Sequence, residues 1–124
     1  MAKILIVDDD PDVVEGGKLV LEKAGHQVSG AFTKDEGLAA VKSFKPDLLI
    51  LDVMMQQPDD GIAMAQQLRR EGFKKPILML TSVGRASGLA IGKDDDLVPV
   101  DEYQEKPIMP DVLVTKVGEL LGRR

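Results

Sequence analysis

Three short apolar runs, each stopped by a carboxylate or a hydroxyl, limit most strongly what this chain can fold into. Ile4 to Val7 ends at Asp8, Leu48 to Leu51 at Asp52, and Ile77 to Leu80 at Thr81. Runs of mostly branched side chains without polar alternation do not suit a sheet with one wet face. They read as strands buried on both faces, as in a parallel sheet. Two weaker candidates, Gln27 to Phe32 and a piece around Tyr103 to Lys106, make five. The intervening segments read as helices. Pro11 suits a first helical turn with Asp10 as its cap, Val14, Leu21 and Ala24 lie near one face, and Gly25 is a stop. Thr33-Lys34-Asp35-Glu36 forms a capping box before Leu38, Ala39 and Val41, and Pro46 closes that unit. Asp60-Gly61 opens a helix carrying Ile62, Ala65 and Leu68, stopped by Gly72. A last helix starts near Pro110 and carries Leu113, Val117, Leu120 and Leu121; Met109 cannot cap it. Strand and helix thus alternate, which implies parallel strands, right-handed crossovers and helices on both faces. Val83 to Val100, with the run Asp94-Asp95-Asp96, resists the pattern, and the fourth helix expected there is short or mobile.

Composition narrows the chemistry. The length of 124 residues suits one domain over residues 1–124, with no output domain expected. No cysteine is present, so disulfides and thiolate metal sites are excluded. The lone histidine, His26, rules out a site needing two imidazoles. A net charge of −5 argues against direct nucleic-acid binding by the domain as a whole. No apolar run is long enough to span a membrane or to serve as a signal peptide, so the expected location is the cytoplasm.

In an open parallel sheet, ligands bind beyond the carboxyl ends of the strands. Asp8 and Asp9 follow the first strand, Asp52 ends the third, Thr81 the fourth and Lys106 the fifth. With the first and third strands adjacent at the switch point, three carboxylates, a hydroxyl and an ammonium converge. Carboxylates that close repel one another, and a divalent cation removes the conflict. Oxygen ligands without imidazole or thiolate favour Mg²⁺, or Mn²⁺ in its place. A carboxylate beside Mg²⁺ and lysine can attack a phosphoryl group to give an acyl phosphate, with Lys106 and Thr81 on the phosphoryl oxygens. Singly, each residue has an ordinary explanation: an aspartate after a strand is usually a turn residue or a cap. The specific signal is the whole set, in chain order, at successive strand ends.

The chain resembles a response-regulator receiver domain of two-component signalling over essentially its full length. The matching segments are Ile4-Leu5-Ile6-Val7-Asp8-Asp9-Asp10, Pro46-Asp47-Leu48-Leu49-Ile50-Leu51-Asp52, Leu78-Met79-Leu80-Thr81-Ser82 and Tyr103-Gln104-Glu105-Lys106-Pro107. The resemblance implies a flavodoxin-like (βα)5 fold with strand order 2-1-3-4-5. It implies Asp52 as phosphoacceptor, and Asp8, Asp9, Asp52 and the Met54 backbone carbonyl as the Mg²⁺ site. Lys106 and Thr81 would bind the phosphoryl group, and Thr81 and Tyr103 would act in the switch. Met54 and Val83 would flank the path of hydrolytic water; both are apolar and cannot orient it, so a slowly decaying acyl phosphate is expected. The implied partners are a sensor histidine kinase or histidine phosphotransfer protein and a downstream protein of unknown identity, with phosphorylation-dependent homodimerisation allowed. On this reading the chain is no enzyme beyond catalysing its own phosphorylation and dephosphorylation.

Two departures from the family pattern stand out. Gln56 replaces a usual proline after Met55, Pro58 comes two residues late, and Gly61 lies nine residues after Asp52. The loop beside the site is therefore one residue longer, with an added Asp59-Asp60 pair. The stretch from Thr81 to Lys106 is also longer than usual, and Leu97-Val98-Pro99-Val100 stands where Gly-Ala is familiar.

Three rival readings make different demands. A haloacid-dehalogenase-type phosphatase could use Asp8 and Asp10 with Thr81 and Lys106, but Asp12 stands where it wants Thr or Val. Its late acidic pair has only Asp111 and Glu119 to draw on. A phosphorylation-independent receiver-like scaffold would not need Asp8, Asp9, Asp52, Thr81 and Lys106 together. A flavodoxin-like nucleotide binder would want a glycine-rich loop after the first strand, where acids stand instead.

Overall fold

The computed structural model describes residues 2–53, 55, 60–82, 100–106 and 109–122, the side chains of residues 82, 105 and 106 excepted. The elements are β1 (Lys3–Val7), α1 (Pro11–Lys23), β2 (Gln27–Ala31), α2 (Lys34–Phe44), β3 (Leu48–Asp52), α3 (Asp60–Arg70), β4 (Ile77–Ser82), β5 (Glu102–Lys106) and α4 (Pro110–Gly122). The strands form one parallel sheet in the order β2-β1-β3-β4-β5, as the resemblance implies. The fourth of the five expected helices falls between β4 and β5, outside the described residues.

Burial explains the uninterrupted apolar runs. Alternate residues of β1, β3 and β4 feed two separate cores. Leu5, Val7, Leu49, Leu51, Ile77 and Met79 pack with Met64, Ala65 and Leu68 of α3 on one face. Ile4, Ile6, Leu48, Ile50, Leu78 and Leu80 pack with Val14 and Leu21 of α1 and with Leu113, Val117 and Leu120 of α4 on the other. The central strands therefore have no wet face and no polar alternation.

The helix boundaries follow local chemistry. Asp10 caps α1 by accepting the Asp12 amide at 2.9 Å, and Gly25 lies just past the helix with φ 97°. Thr33 accepts the Glu36 amide at 3.1 Å. Glu36 reaches back one residue further than a standard capping box, taking the Phe32 amide at 2.9 Å. Gly72 follows α3 with φ 96°. Helix α2 ends on Lys45 in the left-handed region, one residue before Pro46. Two expected apolar positions are exposed: Ala24 is the C-cap of α1 beyond its buried stripe, and Ala39 faces away from the sheet.

Candidate functional site

The register of β1 on β3, with Val7 opposite Leu51, makes Asp8 and Asp52 the next positions on adjacent strands. The Asp8 amide donates to the Ala31 carbonyl at 3.1 Å, continuing the β1–β2 ladder one step. One Asp8 carboxylate oxygen accepts the Asp10 amide at 2.9 Å, an Asx turn that bends the chain towards α1. Asp8 is 0% and Asp52 4% exposed, whereas Asp9 faces solvent. Carboxylate oxygens of Asp8, Asp9 and Asp52 all lie within 4.8 Å of one another.

That separation decides what the cluster can hold. Three negative groups at this range repel unless a cation sits among them. Two of them are taken out of water, which sharpens both the repulsion and the attraction for a cation. The donors are all oxygen, the set a hard divalent ion prefers. The residues therefore fit a metal ion. Asp10 is not part of the cluster, because it is exposed and its side chain caps α1.

The remaining sequence candidates are placed unevenly. Thr81 is buried near the end of β4, the strand beside β3, and pairs with Glu105 of β5. Lys106 is the last residue of β5, with its backbone opposite Ser82, one step beyond Thr81; its side chain is outside the described residues. Tyr103 is half-buried against the core on the α2–α3 face and pairs with Met79. Met54 and Val83 lie outside the described residues.

One feature of the site exceeds what the sequence suggested. The Gly61 amide donates to the Val53 carbonyl at 2.8 Å, so the first turn of α3 rests directly on the end of β3. A Cβ at Gly61 would run into the Asp52 carbonyl oxygen and lie 2.8 Å from the Val53 Cα. Asp60, beside it, is buried, 6% exposed. The Asp-Gly pair at the helix start was the available signal, but spacing alone read it only as a helix opening.

Known proteins match this arrangement. A family model described as "Response regulator receiver domain" matches residues 4–118. The chain is 37% identical over 125 residues to the alkaline phosphatase synthesis transcriptional regulatory protein PhoP of Bacillus subtilis, covering 98% of this chain and 49% of that protein. It is 35% identical over 125 residues to the DNA-binding dual master transcriptional regulator RpaA of Synechocystis, covering 99% and 50%. The chain spans about half the length of these curated relatives. Among solved structures, the receiver domain of NtrX from Brucella abortus superposes with a TM-score of 0.85 at 26% identity, covering 98% of this chain and 99% of that one.

Proposed function

The chain belongs to the response regulator receiver domain family, and from that premise we propose that Asp52 accepts a phosphoryl group and thereby switches protein–protein interactions. The observation that carries the reading is the buried Asp52 carboxylate sharing a 4.8 Å cluster with Asp8 and Asp9 at the carboxyl ends of β1 and β3. The donor is a phosphohistidine on a sensor histidine kinase or a histidine phosphotransfer protein. An Asp52 oxygen attacks phosphorus, the P–N bond breaks, and the imidazole nitrogen keeps the electron pair and takes a proton.

Each residue of the set has a separate task. Asp8 and Asp9 hold Mg²⁺ together with Asp52, and the Met54 carbonyl is a further ligand. The ion, when bound, neutralises charge building on the phosphoryl oxygens. The Thr81 hydroxyl donates to one phosphoryl oxygen and the Lys106 ammonium pairs with another. Phosphorylation adds about −1.5 to −2 charges and three acceptor oxygens, which draw Thr81 inward and change the packing of Tyr103. The chain acts as a phosphoacceptor in the cytoplasm, catalysing only its own phosphorylation and dephosphorylation. The transcriptional roles in the relatives' names belong to proteins about twice as long.

Labelling with acetyl phosphate, wild type beside Asp52→Asn, tests the reading. Wild type should gain one acid-stable, base-labile phosphoryl group only when Mg²⁺ is present, and Asp52→Asn none. Equal labelling of the variant would remove Asp52 from the role. A wild type that takes no label from acetyl phosphate or a kinase, and no beryllofluoride with Mg²⁺, would favour the phosphorylation-independent scaffold.

A further inference from the structure

Edge strand β5 carries little register information of its own. Its sequence, Glu102-Tyr103-Gln104-Glu105-Lys106, has one apolar side chain, and it pairs with β4 alone. Register is firmly specified where a strand must bury an apolar face, and a slip of one residue turns every side chain to the opposite face. Strands β1, β3 and β4 bury apolar side chains along their length, whereas β5 offers only Tyr103, half-buried against the core on the α2–α3 face. Yet the proposed phosphoryl site uses Lys106 where this register sets its backbone, one step beyond Thr81.

Contacts at the other end of β5 supply the missing constraint. The Asp101 amide donates to the Ile77 carbonyl at 3.0 Å, and Asp101 Oδ2 accepts the Ile77 amide at 2.8 Å. Asp101 therefore closes a reciprocal pair on the first residue of β4. The same oxygen accepts from Arg69 Nη2 of α3 at 3.0 Å. Arg69 Nη1 donates to the Phe73 carbonyl at 2.9 Å and the Lys75 carbonyl at 2.8 Å, which fixes the guanidinium on the loop between α3 and β4. On the opposite face, Lys116 of α4 lies 3.6 Å from the Glu102 carboxylate.

We propose that Arg69 and Asp101 are a positioning pair that sets the register of β5, and so places Lys106 beside Ser82 and Thr81. This rests on the reading that Lys106 and Thr81 bind the phosphoryl group. At about 3.3 Å per residue, Asp101 lies roughly 16 Å along the strand from Lys106, so the pair acts through the backbone and not by touching the site. The partly exposed ion pair adds little to stability by itself. Its effect belongs in the geometry of the site more than in the melting temperature.

The test measures initial rates of acetyl-phosphate labelling, Mg²⁺ affinity by calorimetry and melting temperature on the full chain. Asp101→Ala and Arg69→Ala should each slow labelling by about ten- to a hundredfold, the scale of a misplacement near an ångström. Mg²⁺ affinity should change by less than about twofold, since the metal-holding carboxylates stand at the carboxyl ends of β1 and β3. Added to Lys106→Ala, Asp101→Ala should cost nothing more. Asp101→Asn keeps an oxygen for the Ile77 amide and should restore most of the rate; it also serves if the alanine variant does not fold. An unchanged rate in Asp101→Ala, with Lys106→Ala impaired, overturns the pair's role and leaves the phosphoryl-site reading standing. A further loss on the Lys106→Ala background, or a parallel loss of Mg²⁺ affinity, overturns it in favour of general destabilisation. If Lys106→Ala labels like wild type, the Lys106 assignment fails first and the positioning role falls with it.

Discussion

Gly61 presses against Asp52: the start of α3 sits so close to the end of β3 that a single added methyl group would meet the Asp52 carbonyl. The neighbouring backbone is itself tied down, because the Val53 amide donates to Leu80 at 3.0 Å and the Val53 carbonyl accepts Gly61 at 2.8 Å. The clash is with main chain, which cannot rotate aside as a side chain can. Gly61→Ala should therefore destabilise the fold by about 1–3 kcal/mol, the usual range for overpacking. It should also weaken Mg²⁺ binding by displacing Asp52. Denaturant unfolding and calorimetry together check this, and a variant with wild-type values of both would show that the approach is slack.

Metal binding should be visible as stability. A ligand that binds only the folded state adds RT ln(1 + [L]/Kd), about 2.7 kcal/mol at a hundredfold excess over Kd. Thermal unfolding should rise with Mg²⁺ and return to its starting value on chelation. Asp9→Asn removes one exposed member of the cluster and should abolish most of that rise without lowering the metal-free melting temperature, since one repelling charge is gone. If Asp9→Asn responds to Mg²⁺ like wild type, the ion does not sit among these carboxylates.

The acyl phosphate should last for hours. Met54 and Val83 have apolar side chains at the positions assigned to the water path, and neither can orient a nucleophilic water. Met54→Asn or Val83→Gln should speed loss of label several-fold. Loss of label from wild type within a minute at neutral pH, with Mg²⁺ present, would count against this assignment.

Stability should also depend on His26. Burial first, and the positive N-terminus second, hold its pKa below the ordinary value of 6.5. The neutral ring accepts the Ala2 amide at 3.2 Å through Nδ1, which the protonated ring cannot do. The unfolded chain therefore binds the proton more readily than the folded one. This contribution is fully present above pH 6.5 and is lost as pH falls through the lower folded value. His26→Gln should flatten that part of the pH–stability curve. An unchanged slope in the variant would place the acid sensitivity elsewhere.

Much of the site was legible because it lies at the ends of strands. A run such as Leu48 to Leu51 announces a buried strand from its own composition, and the polar residue that stops it must emerge where the strand does. The same local logic located the caps at Asp10 and Thr33. It reached Tyr103 only as part of a weaker strand candidate, and it missed the exposure of Ala24 and Ala39, because which helical residues meet the sheet depends on how the helix is docked.

The amino-acid order by itself determined that the core is a parallel sheet and that Asp8, Asp9, Asp52, Thr81 and Lys106 stand at or next to strand ends, since hydrophobic periodicity and turn chemistry are local properties. Tertiary structure alone decided the distances. That three carboxylates converge within 4.8 Å follows from the pairing of β1 with β3. That Gly61 lies against the Asp52 backbone follows from how α3 docks. That Lys106 falls opposite Ser82 follows, on the proposal above, from β5 being held at Asp101 by Arg69, a residue distant from it in the chain. No periodicity encodes such relations, because they join segments whose separation in space is set only when both cores are packed.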